Sequence, residues 1–321
     1  MHQLVERDES QLRELVNARS TWRAFIEAKR ESLQVKGSMV WKDVAGHTYL
    51  IRKSAAGGQR SLGRKTPETE VIYESFQRRK ERAATRLKAM KQRIEEQRKL
   101  NRLYRVGRTP NVVVRALAAL EAADIADNFM VIGTHAIYAY ETAAGVMVDS
   151  GAMATRDLDL LFDARRRMAF ATTLEKSKEG SLIRVLQKAH PSFRFMPDQL
   201  QTAVNDDGFE IDIIRRKAVA PEDPHPMRMS DDENDFRAVQ IDQGAKIASA
   251  RKFDHLVVAA SGEMTMMRTL HPLDFVRLKL QLSKRPGRDP FKAPKDRLQA
   301  EVVQQLWQGY LHLLERADSG Q

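Results

Sequence analysis

Two short apolar runs carry carboxylates at positions a buried strand would not tolerate: Asp157 and Asp159 in Thr155-Arg156-Asp157-Leu158-Asp159-Leu160-Leu161-Phe162, and Asp212 in Phe209-Glu210-Ile211-Asp212-Ile213-Ile214. Side chains alternate between the faces of a β-strand, so Asp157 and Asp159 share one face while Leu158 and Leu160 point into a core. Two acids on one face repel each other unless a cation neutralises them. With no thiol anywhere in the chain, that donor set suits a hard, oxygen-seeking ion, Mg²⁺ or Mn²⁺, held by a few carboxylates and substrate phosphates. Glu210 lies two residues before Asp212 and shares its face, so either acid is a candidate for the third carboxylate.

Bulk properties narrow the setting. A chain of 321 residues accommodates about two domains at ~100–200 residues each, and 42% apolar residues supply a core. The formal charge of +11, from 54 Lys and Arg against 43 Asp and Glu, points to a polyanionic partner such as nucleic acid or to nucleotide phosphates. The absence of cysteine excludes disulfides and a thiolate zinc site. The first nine residues carry charges where a signal peptide needs an apolar stretch, and no run approaches the ~20 apolar residues of a membrane span. The expected location is the cytoplasm, with no membrane partner.

Along the chain, Leu12, Leu15, Val16, Trp22, Phe25, Ile26 and Leu33 fall at helical spacing over residues 9–33. Met39-Val40-Trp41, Thr48 to Arg52 and Arg60-Ser61-Leu62, separated by turns at Ala45-Gly46-His47 and Gly57-Gly58, read as a small meander. Thr66 as cap and Pro67 at the first helical position open a helix that runs to about Leu103. One stripe of that helix is apolar (Phe76, Ala83, Leu87, Met90, Ile94) and the rest is crowded with Arg and Lys. A basic helix beside a basic hairpin suits docking to nucleic acid or protein, and equally a solvated face packed on a core. Its heptad-like stripe permits a homodimer.

A second region begins near Pro110: a helix over Val112 to Leu120, a strand Phe129 to Ile132 ending in Gly133, and a helix from Thr134 stopped by Gly145. The Pro- and acid-rich stretch from Val219 to Asp235 reads as a loop, either a lid or a plain connector. Strands follow at Leu256 to Ala259 and Met264 to Thr269. From Pro272 the pattern is helical, interrupted at Pro286-Gly287 and Pro290. The division read from this is 1–109, a basic helix, hairpin and long-helix extension; 110–270, a catalytic core; and 271–321, a helical segment.

A glycine and a small hydroxyl residue at a helix start let backbone N–H groups approach a phosphate closely. Gly133-Thr134 at the head of a helix, then Asp-Leu-Asp, then a third strand with Asp212, is similar to the nucleotidyltransferase superfamily of the DNA polymerase β type. Within it the chain resembles stand-alone bacterial members, including those of abortive-infection and toxin systems, over residues 110–310. Departures are Thr134 where Ser or Gly is commoner, His135 after it, and a longer stretch from Gly133 to Asp157, which implies an inserted loop around Gly145 to Ala154.

The resemblance implies an α+β fold, a polymerase-β-like mixed sheet with flanking helices. It also implies transfer of a nucleoside monophosphate from an NTP to an acceptor hydroxyl. Asp157, Asp159 and Asp212 would be catalytic and would ligate the metal ions, with Asp212 helping to remove the acceptor's proton. Gly133, Thr134, Lys279 in the later Lys-containing helix, and Arg156 would bind the nucleotide. RNA, such as a tRNA end, is the leading acceptor, with a protein side chain as the alternative. From a different class, the rival is a non-catalytic nucleic-acid-binding protein whose acids hold a structural ion. His135 serves substrate or packing, and of Tyr138 and Tyr140 one stacks on a base while the other fills core. His190, His225 and His271 each adjoin a proline and lack ligand spacing.

Overall fold

The period-two pattern of residues 157–162 and 210–216 becomes two neighbouring central strands of a nine-stranded mixed sheet. The computed structural model describes residues 4–54, 57–217 and 226–314. By packing, the chain divides into a unit of Met1–Leu15 with Asn101–Gln321 and a unit of Val16–Leu100. These boundaries differ from the 1–109, 110–270 and 271–321 division. Leu4–Leu15 and the C-terminal helices group with the acid-bearing sheet.

The smaller unit contains most of α1 (Glu9–Gln34), the meander β2 (Ser38–Val44), β3 (His47–Lys53) and β4 (Gln59–Arg64), and most of α2 (Pro67–Leu103). Ala45 at φ 49° and Gly46 at φ 77° make the two-residue hairpin turn, whose positive φ values match the twist of the flanking strands. The hydroxyl of Thr66 accepts the amide of Thr69, so the expected cap is in place with Pro67 at the first helical position. Leu50 and Phe76 are buried here.

In the larger unit, chain order after the short β1 (Leu4–Glu6) is α3 (Asn111–Ala122), β5 (Phe129–Ile132), α4 (Ala136–Ala144), β6 (Val146–Val148), β7 (Asp157–Phe162), α5 (Arg167–Lys176) and α6 (Leu182–Leu186). The chain continues through β8 (Arg194–Met196), β9 (Gln199–Val204), β10 (Glu210–Arg216), β11 (Met227–Arg228), β12 (Arg237–Ile241) and α7 (Gly244–Ser249). It ends with β13 (Lys252–Val258), β14 (Met264–Leu270), α8 (Pro272–Ser283) and α9 (Lys292–Leu306), which runs on into a π-helical turn, Trp307–Leu311. The sheet order is β11-β12-β10-β7-β5-β14-β13, with the β8–β9 hairpin added to one end of β10. β10 runs parallel to β7 and β12, and β5 is antiparallel to β7. The result is a mixed α/β unit with Phe129, Phe162 and Phe170 packed ring to ring beneath the sheet's centre.

Three local expectations change. The stretch around Gly145 to Ala154 is not a bare loop: β6 pairs with β1, Leu4 opposite Val148. Within Val219 to Asp235, residues 218–225 lie outside the described residues, His225 among them. The described remainder includes a strand, Met227 opposite Ala238. The short β8, β9, β11 and β12 escape a periodicity reading because two to six residues rich in Arg and Gln hold too little apolar repeat to recognise.

A buried ion cluster fastens the N-terminal residues. Arg7 and Arg108 both meet Glu141, at 3.6 and 3.2 Å, and the amide of Val148 donates to the same carboxylate at 2.9 Å. Among the described residues no helix is long and apolar enough to cross a membrane.

Candidate active site

Because β7 and β10 run parallel in register, Asp212 stands opposite Asp159, and Glu210 opposite Asp157. Leu158, Leu160, Ile211 and Ile213, on the alternate phase, are completely buried. Four carboxylates therefore share one face over an apolar floor, as alternation demands. Two hydroxyls orient them. Thr202 on β9 donates to Asp212 Oδ1 at 2.6 Å, and Thr155 donates to Asp157 Oδ1.

The strand on the other side of β7 brings the Gly133 turn. Ile132, the last residue of β5, is opposite Asp159, and Gly133 follows at φ 77°. A Cβ at Gly133 would lie 2.3 Å from Asp159 Oδ2 and would push this carboxylate aside, and the positive φ itself favours glycine. Thr134 and His135 complete the turn into α4, which begins at Ala136 rather than at Thr134.

The acids are imperfectly compensated. Burial, then the charges of Asp157 and Asp212, push the Asp159 carboxyl up to about 7, while Lys279 and Lys292 pull the other way. Asp212 is also raised, chiefly by burial with Glu210 and Asp157 adding repulsion, against the hydrogen bond from Thr202 and the charge of Lys292. Among the described residues no three Asp, Glu or His side chains already enclose a cation-sized position. The donor set nevertheless fits a hard divalent ion, since these are carboxylate oxygens whose mutual repulsion a cation would relieve.

The C-terminal helices supply cations from the far end of the sequence. Lys279 is buried, and its Nζ is 2.9 Å from Asp296 Oδ1, with Arg288 on the other oxygen at 2.8 Å. Its charge reaches Asp159, but its ammonium is engaged in an ion pair. Lys295 donates to the carbonyl of Ala154 at 2.6 Å; burial holds its pKa below the ordinary value, although Asp157 pulls it up. Lys292, Lys295 and Gln299 stand at i, i+3 and i+7 on α9 and so share one helix face. That spacing was the available signal for Lys292, which the motif left out.

The remaining candidates divide. The Thr134 hydroxyl accepts from Gln299 Nε2 at 2.9 Å, the same amide that donates to the carbonyl of Ala152. Arg156 is exposed, and its Nη1 lies beside Gly208 in the turn before β10. Tyr140 fills core with its hydroxyl on the carbonyl of Leu270, whereas Tyr138 stacks on His135. His135 is 1% exposed, and neither ring nitrogen has a hydrogen-bond partner among the described residues; the same holds for Gln299 Oε1. Burial lowers the His135 pKa to about 4, with Asp157 raising it and Lys295 lowering it further, so the ring is neutral at pH 7. Buried polar atoms are usually paired with protein groups, water or an ion.

A family model described as nucleotidyltransferase matches residues 111–319, well over half of the chain. Comparison with curated proteins and with solved structures gave no match. The matched span contains the Gly133 turn, both acid-bearing strands and both C-terminal helices. The chain belongs to the nucleotidyltransferase family.

Proposed function

We propose that this protein transfers a nucleoside monophosphate from an NTP to a hydroxyl of an RNA acceptor. A bond forms between the acceptor oxygen and the α-phosphorus, the bond from that phosphorus to the bridging β-oxygen breaks, and pyrophosphate leaves. The observation that carries the reading is the juxtaposition of Asp157, Asp159 and Asp212 with the Gly133 turn, inside the span matched by the family model.

Each group has a task the chemistry requires, because phosphoryl transfer needs mainly positioning and charge neutralisation. Asp157, Asp159 and Asp212 would hold Mg²⁺ or Mn²⁺, which when bound supplies positive charge beside the phosphates and the attacking oxygen. The Gly133 turn gives the triphosphate close access to backbone amides. Lys292 and Lys295 offset the charge of the triphosphate. Asp212, oriented by Thr202 and less acidic than an ordinary aspartate, is suited to take the proton from the attacking hydroxyl. His135 and Gln299 offer unpaired polar atoms to the nucleotide. The overall charge of +11 favours RNA over a protein side chain as acceptor.

The test is transfer of label from α-³²P NTPs, with Mg²⁺, to total RNA or to lysate protein. The expected result is labelled RNA with wild-type protein and a loss of at least ~100-fold with Asp157→Asn or Asp159→Asn, the scale of removing one electrostatic element of a catalytic site. Label on protein alone would replace the acceptor. Label nowhere, or equal label with Asp157→Asn, would overturn the enzymatic reading.

A further inference from the structure

The positive charge is not spread over the chain. Residues 16–100 hold 21 of the 54 Lys and Arg but 9 of the 43 Asp and Glu, a balance of +12; the rest of the chain sums to −1. A unit that carries the entire excess, built apart from the acid-bearing sheet, needs an account of its own.

Within that unit an open cleft of about 320 Å³ lies among the end of α1, the strands β2 and β3, and α2. Met39 and Phe76 supply its apolar lining, and Arg52, Arg79 and Arg82 its charge. Arg52 is held in place. Its guanidinium sits 4.2 Å over the Phe76 ring, and Nη2 donates to the carbonyl of Lys36 at 2.9 Å. Its Nη1 is buried with no hydrogen-bond partner among the described residues. A fixed guanidinium with an unused N–H in a cleft is a donor waiting for an anion.

Arg79 and Arg82, one helical turn apart on α2, are exposed and make no ion pair among the described residues. The one acid of the cleft, Glu31, is already paired with Arg86. The cleft therefore presents uncompensated positive charge beside an aromatic ring. On the same unit Trp41 packs against Tyr73 at 5.6 Å, and Arg64 lies 5.8 Å over the Tyr49 ring. Guanidinium groups interleaved with aromatic rings are the chemistry that holds phosphodiesters and stacks unpaired bases.

We infer that the unit of residues 16–100 binds single-stranded RNA, with one backbone phosphate seated in the cleft on Arg52, Arg79 and Arg82. This names the RNA grip of the proposed transferase and rests on that reading only for the use made of the bound strand. The charge carried along α2, a helix of 37 residues and so about 55 Å long, extends the contact to further phosphates.

The experiment is fluorescence anisotropy of a labelled 12-nucleotide single-stranded RNA with the full chain, titrated at several salt concentrations. Arg52→Gln/Arg79→Gln/Arg82→Gln is expected to weaken binding at least ten-fold near 100 mM salt. It should also lower the slope of log Kd against log salt by about 0.7, the contribution of one phosphate contact on a single strand. Arg79→Gln/Arg82→Gln alters exposed side chains only and keeps the test independent of folding; its slope should fall by up to about 0.7. Unchanged affinity and slope in that double variant overturn the inference, as do phosphatidylglycerol vesicles or polyglutamate bound as tightly as RNA. Asp159→Asn separates the two readings: it should hold RNA with wild-type affinity while losing label transfer. A wild-type chain that binds RNA but transfers no label sinks the proposed reaction and leaves the grip standing, and label transfer by a wild-type chain that does not bind RNA does the reverse.

Discussion

Asp159 is the residue at which the fold's interests and the site's diverge. Its native pKa of about 7 lies above the ordinary 3.8 because burial and the charges of Asp157 and Asp212 outweigh Lys279 and Lys292. Between those two values the native state keeps a proton that the unfolded chain has lost. Stability therefore falls as pH rises through that window, and the loss is complete above 7. In metal-free buffer, Asp159→Asn should raise the melting temperature by a few degrees at pH 8, with the gain shrinking steadily towards pH 4. A gain independent of pH in thermal melts would contradict this. The carboxylates themselves were legible in the sequence, because alternation with leucine and isoleucine assigns them one face whatever the partner strand. Their company was less so. That Gly133 abuts Asp159, or that Lys292 reaches the same acids, depends on which strands and helices become neighbours, and no local pattern encodes it.

The α8 and α9 pair shows at the level of elements why Lys279 could be noticed but not placed. In sequence it is a lysine in an amphipathic helix; in the fold it is 6% exposed and pairs with Asp296, which Arg288 also engages. Such a pair costs desolvation and is most damaging when only half of it is removed. Asp296→Ala should destabilise the protein by about 3–5 kcal/mol, and Lys279→Met/Asp296→Leu by much less than the two single changes combined. Additive effects in urea titrations would mean that the pair is not coupled. Long elements with caps and clear periodicity, α2 above all, were readable from sequence; its start at Pro67 and its end at Leu103 follow from Thr66, the proline and the apolar stripe. Short edge strands such as β8 and β11 were not, since pairing to β9 and β12 defines them rather than their own composition.

At the scale of the whole molecule, the candidate site is collected from distant stretches of chain: the turn after β5, the strands β7 and β10, and the first turns of α9. The basic unit of residues 16–100 is legible as charge but not as a boundary, because α1 and α2 both run through the division without a linker to mark it. Three aspartates from two strands are proposed to serve one cation-dependent site. Mn²⁺ binding followed by electron paramagnetic resonance, in the presence of a non-hydrolysable NTP, tests it most directly. At least one bound Mn²⁺ per chain is expected for the wild type, and its loss in Asp157→Asn, Asp159→Asn and Asp212→Asn, each shown to be folded. Wild-type Mn²⁺ occupancy in all three variants would contradict it.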